Sequence, residues 1–413
     1  VRGGAVAGTL ARRLGTGDAV FVGLSAMIGA GVFAAYGPAA RSAGPWLLAS
    51  LALAAVVAYC NATSSARLAA LYPESGGTYV YGTRRLGHFW GYLAGWGFVV
   101  GKTASCAAMA LTFGAYVAPE LARPLAAGAV VALTALNLLG VQRSALAARV
   151  MVVFVLAVLA TVVAAAVLNP GLEPGLRYSG GEVDAWGVLQ GAGLLFFAFA
   201  GYARVATMGE EVRDPARTIP RAITIALFVT LAVYALVGYS ALTVLGPHRL
   251  GASQVPLADL ARETGIGWLP LLVTAGAAVA SLGALLALIL GVSRTVLAMA
   301  RRRDLPAVLD AVHPVRKVPH RAELAVALAV VALVLLADLR GAIGFSSFGV
   351  LLYYAVANAS AFTLTREEGA PAKAVPVLGV VLCVGLAFTL PVASVLAGLA
   401  VFAVGVLAWL LKR

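Results

Sequence analysis

Charge is scarce in this chain. Only 11% of its 413 residues are Asp, Glu, Lys or Arg, against 62% hydrophobic, and mean hydropathy is +0.95. No soluble globular class has that balance. Cysteine is scarce too. Cys60, Cys106 and Cys383 fall in apolar stretches at unrelated spacings. That argues against a disulfide framework or a thiolate metal site and leaves them as small buried hydrophobes. The four histidines (His88, His248, His313 and His320) sit in loops or at the ends of apolar runs, without HExxH-type spacing. An intramembrane enzyme would need histidine, carboxylate and nucleophile together inside the runs. With no histidine there, the chain is not read as an enzyme.

Apolar length is what the sequence has. Twelve stretches are long enough to cross a bilayer: about 18–40, 46–72, 88–118, 124–140, 147–168, 186–211, 221–245, 268–299, 321–338, 343–365, 374–390 and 391–411. The last two meet at Leu390 and Pro391. The fold class is therefore an all-α integral membrane protein, one polytopic domain over 1–413 with no cleavable leader expected. The connection from Arg301 to Arg321 is Arg-rich, carries Pro306, Pro314 and Pro319, and reads as a surface loop with a short amphipathic element.

The net charge of +13 invites a nucleic-acid reading, which the distribution of the charge opposes. With the N-terminus inside, cations such as Arg12, Arg13, Arg84, Arg85, Arg302 and Arg303 crowd one face, while Arg41, Arg123, Arg177, Arg249, Arg262 and Arg340 stand on the other. The excess is more than threefold and fits the positive-inside rule, with both termini cytoplasmic and the inner, cytoplasmic membrane as the site of residence. Membrane lipid and a small solute are the expected partners; nucleic acid is not.

Glycine placement carries the functional signal. Gly23, Gly29 and Gly31 cluster in the middle of the first apolar run, a pattern that breaks a helix at mid-membrane. Unwound backbone there exposes amide and carbonyl groups that bind a zwitterion without any charged side chain. Five spans later Gly187, Gly191, Gly193 and Gly201 interrupt a second run. An odd number of spans between the two reverses orientation, so the pair points to an inverted-repeat solute carrier. The repeats run from about 18 to 168 and from about 186 to 365, with peripheral helices over 374–411.

Four ordered stretches resemble the amino acid–polyamine–organocation family of permeases. They are Ile28 to Phe33 (Ile-Gly-Ala-Gly-Val-Phe); Tyr72 to Tyr81 with Gly91 to Trp96; Phe197 to Tyr202 through Glu210 to Pro215 and Ile219 to Arg221; and Met299 to Arg301 with Leu305, Pro306, His313 and Pro314. The resemblance implies a leucine-transporter-type fold: two five-helix inverted repeats plus two peripheral helices. It also implies a substrate carboxylate on the amides of Gly29, Ala30 and Gly31. The substrate amine would meet carbonyls around Ile28, Phe199 and Ala200, beside Gly201, with Phe199 and Tyr202 as aromatic walls. Helix dipoles favour the same polarity.

Three cations fall inside spans: Lys102, Arg204 and Arg294. A charge at bilayer centre costs at least about 2.5–3.5 kcal/mol, and Lys102 is too far from either interface to snorkel. Some proton-coupled members of the family carry a lysine in the fifth span, which here has no charge from Val150 to Leu168. Lys102 is therefore the proton-coupling candidate; its rival role is a structural lysine bonded to carbonyls of a broken helix. Arg204 and Arg294 are vestibule candidates, and an Arg204 facing the substrate would favour neutral or acidic solutes over cationic ones. Sodium coupling has little support, since Ser281 stands alone as a hydroxyl in the middle of the eighth span. Asn61, Thr63, Ser64, Ser65, Asn358 and Ser360 read as interhelical hydrogen-bonding residues. The function expected is secondary active amino-acid transport by alternating access, as proton symport with no cofactor beyond the proton gradient. Amino acid/amine exchange is the alternative and a transporter-like solute sensor a more distant one.

Overall fold

The computed structural model of the protein describes residues 15–72, 76–140, 145–169, 184–202, 205 and 212–412. Each of the twelve expected spans carries a helix, and the first is broken. Helix α1 (Thr16–Met27) stops where Ile28 (φ −81°, ψ 66°) and Gly29 (φ −113°, ψ −145°) leave helical angles. The chain winds up again as α2 (Ala30–Ala34) and, after Ala35, as α3 (Tyr36–Ala43). A single turn then leads into α4 (Leu47–Leu71).

Helix α5 (Thr78–Leu86) is short and precedes α6 (His88–Val117). Their junction is Gly87 at φ 100°, a backbone angle that L side chains rarely adopt. Next come α7 (Ala122–Leu138), α8 (Ala145–Leu168) and α9 (Ala185–Phe199), the last capped by the Asp184 carboxylate accepting from the Trp186 amide at 3.1 Å. Helix α10 (Pro215–Ala252) kinks at Gly246 (φ 69°) just before Pro247. The remainder is α11 (Pro256–Glu263), α12 (Leu269–Arg301), α13 (His320–Leu336), α14 (Leu339–Phe362), α15 (Ala374–Thr389) and α16 (Val392–Leu410).

Two sequence expectations are sharpened here. Leu390 and Pro391 do divide two helices, because proline has no amide to continue α15 and holds Leu390 extended (φ −59°, ψ 163°). The amphipathic element expected between Arg301 and Arg321 is a correction: only one three-residue turn, Ala307–Leu309, forms there. Pro306, Pro314 and Pro319 remove too many donors for a longer helix.

Burial sorts the spans. The apolar windows of α14 and α6 are 83% and 72% buried, whereas α16 and the span containing α7 are each 22% buried. Thus α6 and α14 form the centre and the others the rim. At the centre the backbones touch: a Cβ on Gly349 would lie 3.0 Å from both the Gly101 Cα and the Gly97 carbonyl oxygen. Ser105 and Ser346 share a hydrogen bond of 2.6 Å across the same seam. On the rim Leu146, Leu328 and Leu396 stand exposed, a surface whose natural solvent is hydrocarbon. Nine stretches among the described residues are long and apolar enough to cross a membrane, with α9 and α15 as shorter apolar helices. The protein is a multi-pass membrane protein.

Asn61, Ser64 and Asn358 pair between helices as expected, whereas Ser360 donates to the Val356 carbonyl of its own helix at 2.8 Å and the buried Ser65 hydroxyl meets no hydrogen-bond partner among the described residues. The Asn358 amide donates to Asn61 Oδ1 at 2.6 Å, Ser64 donates to Asn358 Oδ1 at 2.7 Å, and the Cys383 thiol donates to Asn61 Oδ1 at 3.2 Å. That knot ties α4, α14 and α15 together. Cys60, Cys106 and Cys383 are all free and buried.

Candidate functional site

The site begins with two helix ends that face each other. Helix α1 ends at Met27, and α9 ends at Phe199 after 15 residues. Fifteen residues rise only about 22 Å, short of the roughly 30 Å of bilayer hydrocarbon. The last turns of both helices leave carbonyls with no intrahelical donor. Buried in a membrane, such groups need partners or a ligand.

The two breaks meet backbone to backbone. A Cβ on Gly31 would sit 2.6 Å from the Ala198 Cα, and one on Gly201 would sit 2.1 Å from the Ala26 carbonyl oxygen. Only glycine permits that approach. Gly29 faces Ala284 of α12, whose Cβ would be 3.1 Å from an added methyl. Ile28, Ala30, Phe199, Ala200 and Tyr202 are between 0% and 4% exposed, so these residues are sealed from solvent.

Side chains from other helices meet the exposed carbonyls. Tyr234 of α10 places its hydroxyl 2.7 Å from the Met27 carbonyl and 3.0 Å from the Ala198 carbonyl, bridging both broken segments. Its ring meets Phe199 edge-on at 5.1 Å, and its own carbonyl accepts from the Tyr36 hydroxyl at 2.7 Å. Lys102 of α6, 6% exposed, donates from Nζ to the Ala200 carbonyl at 3.0 Å. The ammonium thus lies at the negative end of α9. The titratable group beside it is Cys106, one turn along α6. Tyr202 stacks at a tilt on Tyr354 of α14, 5.1 Å between centroids, and Tyr354 also takes the edge of Phe196 at 5.8 Å.

Between α1, α8 and α12 lies a cavity of about 10 Å³, lined by Ser25, Ile28, Met151, Val152, Val155, Ala280, Gly283 and Ala284. No charged residue lines it, and the Ser25 hydroxyl is already donated to the Val22 carbonyl at 2.8 Å. The absence of a fifth-span lysine is therefore matched by an apolar environment there. The buried cation beside the two breaks is Lys102 on α6 instead.

Of the sequence candidates, Ile28, Gly29, Ala30, Gly31, Phe199, Ala200, Gly201, Tyr202 and Lys102 all converge on this one place. Arg294 does not. It is exposed on α12, ten residues or about 15 Å beyond Ala284, with Glu323 of α13 as its acidic neighbour. Arg204, Glu210 and Glu211 lie outside the described residues. Sequence reasoning missed Tyr234 and Tyr116, and the signal was available: a mid-span tyrosine has a hydroxyl that must find a partner. Tyr116 donates to the Phe33 carbonyl at 2.7 Å and accepts from the Leu257 amide at 3.3 Å, joining α2, α6 and α11. On the opposite face Asp304 gathers the Tyr79 hydroxyl at 2.5 Å and His88 Nε2 at 2.9 Å, while Lys412 caps the carbonyls of Arg303 and Asp304.

A lipid-facing exterior around a broken, polar, glycine-lined centre defines a membrane carrier for a small solute. Its sequence places it more narrowly. Residues 14–411 match the amino acid permease family, and the chain belongs to that family of amino-acid transporters. It is 63% identical over 404 residues to an uncharacterized transporter of Mycobacterium tuberculosis, covering 98% of this chain and 92% of that protein. It is 28% identical to the branched-chain amino acid permease BcaP of Bacillus subtilis, over 76% of this chain and 72% of that one. It is 30% identical to the vacuolar cationic amino acid transporter 2 of Arabidopsis thaliana, over 86% and 60% respectively.

Proposed function

We propose that this permease is a proton-coupled symporter of a neutral or acidic amino acid, working by alternating access between the broken helices. The observation that carries the reading is Lys102, a buried cation bonded to the carbonyl that ends α9, beside the break in α1. The substrate carboxylate binds the amides around Gly29, Ala30 and Gly31, where the chain rewinds toward α3; Gly29 exchanges its 2.8 Å bond to the Met27 carbonyl for the substrate. The amine binds the carbonyls around Ile28, Phe199 and Ala200. Phe199 and Tyr202 enclose the side chain. Lys102 gains and loses the coupled proton as its surroundings change between wet and dry, since desolvation favours the neutral amine and hydration the ammonium.

A fixed cation at the site supports neutral or acidic side chains over basic ones. That separates this chain from its relatives named for cationic amino acids and sides with the relative named for branched-chain ones. The positive-inside charge distribution supports a cytoplasmic membrane with both termini inside. The alternative, exchange of an amino acid for an amine, uses the same site without a net proton.

Uptake of labelled amino acids into empty proteoliposomes, with and without an inward proton gradient, tests the reading. Gradient-dependent accumulation that disappears in Lys102→Ala supports symport through Lys102. Uptake only after preloading with an internal solute establishes exchange and removes Lys102 from coupling. Full gradient-driven uptake by Lys102→Ala removes it as well.

A further inference from the structure

Among the described residues, the group that meets the Ala200 carbonyl is the ammonium of Lys102. The same carbonyl belongs to the group proposed above to hold the amine of an amino acid. Two ammonium groups within about 4 Å of each other repel strongly in a site sealed from water. Among the described residues no carboxylate forms an ion pair with Lys102 that would absorb the second charge. Substrate amine and Lys102 therefore compete for one position.

We propose that Lys102 is a tethered stand-in for the substrate amine, and that the site accepts carboxylates lacking an α-amine with Lys102 left in place. The proposal rests on the reading of the two breaks as the substrate site. A 2-hydroxy acid brings the carboxylate and side chain of its matching amino acid but no second cation. The Lys102 ammonium, held at the end of α9, supplies the missing positive charge to a carboxylate seated between the two breaks. An amino acid binds only after Lys102 has left Ala200. Lys102 thereby sets specificity between amine-bearing and amine-lacking carboxylates, a role distinct from carrying a proton.

The experiment measures binding to the full chain in lipid nanodiscs by isothermal titration, with empty nanodiscs subtracted. Matched pairs are used: alanine with lactate, and leucine with 2-hydroxy-4-methylpentanoate. In the wild type each hydroxy acid is expected to bind at least as tightly as its amino acid. In Lys102→Met, of similar volume and no charge, hydroxy-acid affinity falls about tenfold or more while amino-acid affinity holds or rises. A wild type that binds the amino acids but prefers them to the hydroxy acids by about a hundredfold overturns the proposal and leaves the substrate site standing. Equal weakening of both ligands in Lys102→Met also overturns it, because it assigns Lys102 a purely structural role. Binding of neither class to the wild type overturns the substrate-site reading and the proposal with it. Should Lys102→Met not purify as a single species, Lys102→Arg keeps the cation, and the wild-type ratio alone decides.

Discussion

Adding one methyl group at Gly31 perturbs the site at its tightest point. The new Cβ would lie 2.6 Å from the Ala198 Cα and 2.7 Å from its Cβ, roughly 1 Å inside van der Waals contact. Neither neighbour is the far end of a flexible side chain, so α2 and α9 must separate. Overpacking of this kind costs about 1–3 kcal/mol. Moving α9 by even part of an ångström also lengthens the 3.0 Å bond from Lys102 to Ala200 and the 3.0 Å bond from Tyr234 to Ala198 beyond good geometry. Gly201→Ala is the partner test and should be worse, with its Cβ 2.1 Å from the Ala26 carbonyl oxygen. Gly128→Ala is the control: nothing lies within 4 Å of its Cβ, and helix propensity favours alanine there by about 0.5–1 kcal/mol. Thermal unfolding of the purified protein and proteoliposome uptake should rank Gly128→Ala at or above wild type, then Gly31→Ala, then Gly201→Ala. If Gly31→Ala and Gly201→Ala match Gly128→Ala in both assays, the two breaks do not pack as described and the reasoning fails.

Tyr234→Phe keeps the ring against Phe199 but removes the hydroxyl that bridges the Met27 and Ala198 carbonyls. Met27 keeps its bond from the Gly29 amide at 2.8 Å, so the loss falls on the Ala198 carbonyl and should cost about 0.5–1.5 kcal/mol in thermal unfolding and cut uptake, whereas a variant as stable as wild type would show the bridge to be dispensable. Glu323 is buried, and the groups that act on its carboxylate are the Asn137 side chain and the Arg294 guanidinium, neither placed to form a close ion pair. Glu323→Gln should therefore unfold at or above the wild-type temperature, since it removes a poorly compensated buried charge; a loss of several degrees would expose a partner that needs the carboxylate. At the α10–α11 connection the Arg249 guanidinium, bonded to Glu263 at 2.5 Å, holds the Glu263 carboxyl below its ordinary range. A depressed carboxyl contributes stability above the ordinary carboxylate range and loses it as pH falls through the folded value. Both groups are largely exposed, so the effect is small and salt-screened, and Glu263→Gln should shift the acid side of the stability profile slightly at low salt and not at high salt.

Much of the site was legible in the sequence. A glycine cluster in an apolar run and a mid-span lysine both violate what a simple transmembrane helix tolerates, and such violations are informative because the membrane penalises them. Tyr234 and Tyr116 carried only the general signal of a mid-span hydroxyl that needs a partner, and the carbonyls they serve were not legible. Both tyrosines lie on helices distant in sequence from those carbonyls, and tyrosine is ordinary in a membrane helix. For Arg294 the charge within a span is visible in the sequence, but the direction it faces on its helix is not.

By itself the sequence determined the membrane class, the twelve helical stretches and the two places where helix must fail. Those follow from local rules: hydrocarbon leaves backbone polar groups no partner but the helix, and glycine and proline break it where they stand. Only the tertiary structure decided that Gly31 lies on Ala198 and Gly201 on Ala26, that Tyr234 bridges the two broken ends, and that Lys102 reaches Ala200 rather than the cavity beside α8. Which helix faces which is set by side-chain packing summed over the whole bundle, and no local stretch of sequence carries that sum.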